Sequence, residues 1–485
     1  MNDFSRELTR LAAVLLLGFV MIAASASFWA VLRADDLLAR DDNARNVIRE
    51  LSIVRGTIYD RNGVALARSV PDDTGLMQRV YSFPTAGSVV GYYSLNYGVT
   101  RIEAAFDAEL RGDHVRTEWD TWWERVLHRD PVGYDVRSTV DLAVQQAVVN
   151  AFGDHAGAAV VVDVPSGEVL ALVSLPGYDP NTIDQDWDDL KAGETTSPLL
   201  NRVTTGLYQP GGALEPVMLA ALLGRHSELE SAAVLNTDVP GARDPLTVQQ
   251  GTMTFTLTCL PGTPSRTLSL AEAFLYGCPS PYVDALADDL TAEQVWERWE
   301  ALGLLDPPAL TGFDTASSEP PSLAETSPEA LIAEVVGQGA LTVTPLQLLQ
   351  VTAAVANQGH AVPLHLVDAI RAPDAAEWEP VAVYAVAHAM LRGDVADAIR
   401  LAMLQAAAQN YLVRRAAGND LVLYGHSALA YSGPSATPHV WFTGFVDQST
   451  TDEAAAIAVV VVVENESDPG VAAAVAGAAF AASTR

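Results

Sequence analysis

The chain has 485 residues, 49% of them hydrophobic, which is enough for one large core or two and argues against general disorder. With 60 acidic against 28 basic residues the formal net charge is -32, so no cationic surplus exists to displace counterions from a phosphate backbone, and nucleic acid is a poor partner. The first element is the run LAAVLLLGFVMIAASASFWAVL, residues 11–32, which carries no ionisable side chain. At ~1.5 Å per residue it can cross a ~30 Å hydrocarbon layer, so a single transmembrane anchor is expected. Ala24-Ser25-Ala26 resembles a cleavage site after a shorter apolar run, which is the competing signal-peptide reading; continuation through Phe28, Trp29, Val31 and Leu32 favours the anchor. Arg6 and Arg10 precede the span while Arg33, Arg40 and Arg45 follow it, so charge counting does not set its orientation.

Beyond the span, DDLLARDDNARNVIREL has helical spacing, and RGTIYDRNGVALA breaks into short strands around an Asn62-Gly63 turn, opening a small domain. Trp119, Trp122 and Trp123 in RTEWDTWWERV read as that domain's core more readily than as a partner surface. From Asp141 the pattern changes. DLAVQQAVVNAF is a helix capped by Asp141, and GAAVVVDVPSGEVLALVSLP is a hairpin turning at Pro165-Ser166-Gly167. Residues 179–359 read as mostly helical; in TVTPLQLLQVTAAVANQG, Thr344 stands at the cap, Pro345 in the first turn and Gly359 just past the end. DLVLYGHSALAY, HVWFTGFV and AAAIAVVVVVE return to strands, and an Ala-rich helix follows from about Pro469. Strands at both ends with helices between imply an α+β fold whose antiparallel sheet is flanked by helices.

Two cysteines, Cys259 and Cys278, lie nineteen positions apart; outside the cytosol they are a disulfide candidate, and two separate buried thiols is the alternative. No His-Glu-x-x-His, paired Cys-x-x-Cys or Gly-x-x-x-x-Gly-Lys occurs, so no metal site or cofactor is expected. Leu429 stands where a nucleophile elbow around Ser427 needs its second glycine.

Several segments in order resemble the class B penicillin-binding proteins, the membrane-anchored transpeptidases that cross-link peptidoglycan. They are RGTIYDRNGVALA, GYYSLNYGVTRIEAAFDAELRG, STVDLAVQQAVVNAF, GAAVVVDVPSGEVLALVSLPGYDPN, PLLNRVTTGLYQPG, GQGALTVTPLQLLQVTAAVANQG and HVWFTGFV. The resemblance implies a cytoplasmic tail (1–10), a transmembrane helix (11–32), a pedestal or dimerisation-like domain (33–140) and a transpeptidase-like domain (141–485) of the serine β-lactamase kind. It also places the bulk outside the cytoplasmic membrane. The CLPGTPSRTLSLAEAFLYGC segment resembles a two-cysteine arrangement of some actinobacterial relatives.

Acyl transfer in this family uses Ser-x-x-Lys at a helix start, where three residues bring the amine over the hydroxyl. The matching positions here are Gly212, Ala213, Leu214 and Glu215, and the chain's only lysine, Lys191, has Asp188 three residues before it. The family's Ser-x-Asn aligns with Gly277, Cys278 and Pro279, and moving the frame to Ser280-Pro281-Tyr282 restores a hydroxyl but no amide. Lys-Thr-Gly aligns with His426, Ser427 and Ala428, where histidine and serine retain some capacity for a carboxylate contact. Pro210 and Gly211 keep the turn, Glu215 suits the dipole of a helix first turn, and Pro216 costs little there. Glu215 as a general base for a water is the hydrolase alternative.

These substitutions predict a catalytically degenerate homologue, not an enzyme, acting as a membrane-anchored scaffold or regulator of cell-wall synthesis. The implied partners are a polytopic glycan polymerase or an active paralogue, with peptidoglycan stem peptide as a further ligand. Two alternatives stand beside it: an active D,D-transpeptidase with a different nucleophile, and a stem-peptide receptor in which His426 and Ser427 grip a carboxylate.

Overall fold

The computed structural model describes residues 2–28, 44–113, 132–193, 196–225, 233–250, 253–288, 291–319, 327–383, 388–417, 421–431, 438–447 and 456–484. Trp119, Trp122 and Trp123 lie outside them, as do Trp29 to Leu32. The chain divides into two compact units. The smaller comprises Met1–Val54, Ser69–Gln78 and Thr117–Pro131, and the larger Arg55–Arg68, Arg79–Arg116 and Val132–Arg485.

In the smaller unit, helix α1 (Asn2–Ser27) leaves Leu11, Val14, Phe19 and Ile22 exposed, and α2 (Ala44–Ser52) follows. Arg10–Ser27 has a mean hydropathy of 2.0 and is, among the described residues, the one helix long and apolar enough to cross a membrane. Such a helix fits a single-pass anchor, and a signal sequence has the same character.

The chain then runs through β1 (Ile58–Tyr59), β2 (Ala65–Pro71), β3 (Met77–Tyr81), β4 (Asp135–Ser138), α3 (Leu142–Phe152), β5 (Gly157–Asp163) and β6 (Val169–Leu175). Next come α4 (Glu215–Leu223), β7 (Leu246–Gln250), β8 (Met253–Leu257), α5 (Leu270–Leu275), α6 (Ser280–Asp288), α7 (Pro328–Val335) and α8 (Pro345–Ala356). The last part holds β9 (Val367–Arg371), β10 (Glu379–Pro380), α9 (Gly393–Gln409), β11 (Val422–Tyr431), β12 (Pro438–Asp447), β13 (Ala456–Val463) and α10 (Pro469–Ser483), with shorter elements between.

The central sheet is antiparallel in the order β11-β12-β13-β5-β6, so its two outer pairs come from distant parts of the chain. Every residue of β13, AIAVVVVV, is buried. An uninterrupted apolar run is what a strand covered on both faces requires, in contrast to the alternation of a half-exposed one. Strand alternation sends Val459, Val461 and Val463 toward α3 and α10, and Ala458, Val460 and Val462 toward α4 and α8. Each fully buried valine contributes roughly 1.5–3 kcal/mol of transfer free energy. The helices start where their caps dictate. The Asp141 carboxylate accepts from the N–H groups of Ala143 and Val144, and Thr344 forms a reciprocal capping box with Gln347.

A second sheet has the order β10-β9-β4-β1-β2-β3. Beside it lies a buried ion cluster. Glu103, with no exposure, receives Arg55 Nη2 at 2.8 Å and Arg79 Nε at 2.6 Å, and the Tyr81 hydroxyl at 3.3 Å; Arg55 also reaches Asp107 at 2.7 Å. Gly56, next to Arg55, has no room for a side chain, because a Cβ there would stand 1.7 Å from the Tyr134 carbonyl oxygen.

The segment expected to be mostly helical contains the hairpin β7–β8, paired from Leu246↔Leu257 to Gln250↔Met253. Alternating Leu246, Val248 and then Met253, Phe255, Leu257 turn one face to Val336 and Tyr431, a period of two that wins over the helical surroundings.

Candidate functional site

A groove forms where the entry to α4 meets β11, β8 and the segment after α7. Gly211–Leu214 is a single 3-10 turn leading into α4. Gly211 adopts φ +50, its N–H donates to the Gly337 carbonyl at 2.8 Å, and a Cβ would stand 2.2 Å from the Leu429 carbonyl oxygen. Three backbones therefore interlock at a point that only glycine permits. Trp441 Nε1 donates to the Gln209 carbonyl at 3.1 Å and holds the approach to this turn against β12.

Gly212, Glu215, Gly277 and Pro279, picked out from the sequence, all border this groove. Tyr282 on α6, Gln338 after α7 and Tyr431 at the end of β11 complete its polar border, while Leu257, Leu260 and Val336 supply apolar wall. None of these six was singled out as a site residue from the sequence, since only the tertiary fold brings them to the motif positions. The alternation of β7 and β8 was the one available signal for Leu257.

Cys259 and Cys278 are joined by a disulfide. With the Leu260 N–H donating to the Tyr276 carbonyl at 2.7 Å, the bond ties the chain after β8 to the Gly277 turn, so Leu260 and Gly277 share the groove wall. Ser280 is committed elsewhere, its hydroxyl donating to the Asp244 carbonyl at 2.6 Å.

His426 and Ser427 do not grip the groove. Both are 1% exposed, and strand alternation points them to opposite faces of β11. The His426 ring stacks on Phe274 with centroids 4.5 Å apart, and Nε2 lies 3.0 Å from the Gly212 carbonyl oxygen. A carbonyl only accepts, so Nε2 carries the proton. Burial lowers the His426 pKa from 6.5 to about 4. The imidazole is neutral at physiological pH, and the charge expected for a carboxylate contact is absent. Ser427 Oγ is buried without a hydrogen-bond partner, and Ala428, Leu429 and Tyr431 are the β11 residues that border the groove.

Glu215 also departs from expectation. A carboxylate in a first turn ordinarily gains from the helix dipole, but Glu215 is 5% exposed and desolvation pushes its pKa well above the usual carboxylate range. Its Oε2 stands 3.6 Å from His426 Nε2, an ion-pair separation by distance alone. Burial disfavours the charged form of both Glu215 and His426, so the separation alone does not make them an ion pair. Glu215 Oε2 and the Tyr282 hydroxyl are buried with no hydrogen-bond partner, and burial raises the Tyr282 pKa as well, with proximity to Glu215 adding to it. A Cβ at Gly212 would stand 3.4 Å from Glu215 Oε1 and 3.2 Å from Ala428 Cβ, a tight contact that a shift of a few tenths of an ångström relieves. Among the described residues no cluster of His, Cys, Asp or Glu is arranged to hold a metal.

The antiparallel sheet flanked by helices, with a groove where α4 begins beside the edge strand β11, defines a transpeptidase-type domain. The penicillin binding protein transpeptidase domain matches residues 157–482, and the penicillin binding protein A dimerisation domain matches residues 55–136. The chain belongs to the penicillin-binding protein transpeptidase family, in its class B. It is 30% identical over 99% of its length, and 99% of the relative's, to the peptidoglycan D,D-transpeptidase PbpA of Mycolicibacterium smegmatis. To the protein of the same name from Mycobacterium tuberculosis it is 30% identical over 93% of each chain. Penicillin-binding protein A from M. tuberculosis, solved as a ceftriaxone acyl-enzyme complex, superposes with a TM-score of 0.78 at 27% identity, covering 90% of this chain and all of that one.

These findings overturn the expectation that the chain is not an enzyme. Its relatives are named D,D-transpeptidases, and one has been captured acylated, so the family assignment points to an enzyme of peptidoglycan synthesis. The expectation gave a few motif positions more weight than identity spread along the whole chain.

Proposed function

We propose that the protein acts in peptidoglycan synthesis at the outer face of the cytoplasmic membrane, tethered by α1, and that the groove at Gly212 and Glu215 engages peptidoglycan stem peptides. The observation that supports this reading most is the convergence of Gly212, Glu215, Gly277, Pro279 and Ala428 on one groove, at the positions where the sequence resembles the family's three motifs. Relatives named peptidoglycan D,D-transpeptidases make peptidoglycan peptides the ligand class to test first. Tethering confines the groove to the wall-facing surface, where the protein also serves as a scaffold for cell-wall synthesis partners, a polytopic glycan polymerase or a paralogue among them. Glycine has no side-chain oxygen, so a covalent step at this groove uses an atom other than one on a residue 212 side chain.

Calorimetric titration of the detergent-solubilised full chain with purified muropeptides is the test. Saturable heat below millimolar ligand is expected; its absence up to that concentration contradicts the reading. Peptide mapping after labelling with a fluorescent penicillin is expected to place every adduct away from residue 212.

A further inference from the structure

We propose that the groove receives a primary ammonium group, the amine-bearing part of a peptidoglycan stem peptide, which docks on the Glu215 carboxylate and the Tyr282 hydroxyl. This rests on the reading that the groove engages stem peptides and narrows it to their cationic rather than their carboxylate end.

Two buried oxygens, Glu215 Oε2 and Tyr282 Oη, lack hydrogen-bond partners and belong to residues bordering the same groove. Orphaned buried oxygens are costly, and a ligand that donates to both removes that cost. An ammonium group has three donors and no acceptor, which suits a carboxyl oxygen and a phenol oxygen together. Among the described residues that line the groove none is lysine, arginine or histidine, so none offers a cation to pair with a ligand carboxylate. Neutral, buried His426 supplies none. The groove has room for more than one water-sized group, and so for an ammonium head. Leu257, Leu260 and Val336 offer apolar wall for the methylenes behind it. The chain's net charge of -32 favours the approach of a cation.

The protons balance simply. In the empty groove burial favours the protonated form of Glu215. When R–NH3+ enters, the carboxyl O–H bond breaks, its proton leaves to solvent, and the carboxylate pairs with the ammonium, which keeps its three hydrogens. Affinity therefore rises with pH through the raised Glu215 pKa and falls again only where the ligand amine loses its own proton.

The test uses the full chain in detergent, titrated calorimetrically with Nα-acetyl-lysine amide and with its Nε-acetylated counterpart, in two buffers of different ionisation heat. The account expects the free amine to bind at least about tenfold more tightly than the acetylated one, the loss of one charge-assisted hydrogen bond. It also expects a net release approaching one proton per site. Glu215→Gln is expected to lose that preference and the proton release; Tyr282→Phe, which leaves the carboxyl in place, keeps the proton release with weaker binding. Equal affinity for the two lysine amides, no binding of either, or unchanged behaviour of folded Glu215→Gln overturns the proposal. Muropeptides run in parallel separate the two readings. Binding that is indifferent to acetylation of the peptide amine removes the ammonium proposal alone, whereas amine binding without any muropeptide binding removes the stem-peptide reading.

Discussion

Glu103 and Glu215 are both buried and meet opposite fates. Glu103 sits between Arg55 and Arg79, and although burial alone favours its neutral form, the two guanidinium groups hold its pKa below the usual value. Glu215 faces neutral His426 and an unpartnered tyrosine, so desolvation acts unopposed and raises its pKa. Burial by itself therefore says little about a carboxyl group; the neighbours decide whether it is a finished structural element or one awaiting a ligand.

The largest effect expected from this contrast is at Glu103. Glu103→Ala leaves two guanidinium groups buried without their shared partner, and the expected loss is about 3–5 kcal/mol, read by denaturant unfolding of the solubilised chain. Because the folded-state pKa of Glu103 is depressed, its contribution is complete above the unfolded-state value and disappears as pH falls through the folded one. A loss below about 1 kcal/mol, the size typical of an exposed pair, breaks the comparison from the structural side.

His426 comes next. Its folded pKa of about 4 lies below its ordinary 6.5, so the unfolded chain binds the proton first and stability declines as pH falls from 6.5 to 4. The expected loss over that window is roughly 3 kcal/mol, and His426→Gln is expected to abolish this part of the pH dependence. An imidazole resonance that titrates near its ordinary pKa in a labelled sample contradicts the neutral assignment.

Smaller and opposite in sign is Glu215→Gln. A raised folded pKa means that the wild-type carboxyl destabilises the fold increasingly as pH rises from the ordinary carboxylate value toward the folded one. The amide is expected to gain less than about 2 kcal/mol at neutral pH and nothing at pH values where both states are protonated. A destabilised Glu215→Gln at neutral pH means that the carboxylate already has a partner.

Much of the fold was legible because it is written in local patterns. Asp141 before an apolar-periodic segment gave α3, Thr344 followed by Pro345 gave α8, and the valine run gave a strand. The entry to α4 was legible too, since the Pro-Gly turn and the position of Glu215 depend on neighbours in sequence. What the groove does to Glu215 was not legible. The helix dipole acts locally, whereas the groove that desolvates Glu215 is built with α6, β11 and the segment after α7. The carboxylate grip assigned to His426 and Ser427 failed for a related reason. Adjacent residues on a strand face opposite ways, and the pairing of β11 with β12 buries both. The hairpin of β7 and β8 was hidden by helical segments on either side, although its own alternation was present.

The account turns on Glu215 being held uncharged until a cation reaches it. Infrared difference spectra between wild type and Glu215→Gln at neutral pH read this directly. The account predicts a protonated-carboxyl carbonyl band in the ligand-free chain that is replaced by carboxylate bands on saturation with the lysine amide. Carboxylate bands from Glu215 already present in the ligand-free chain would contradict it.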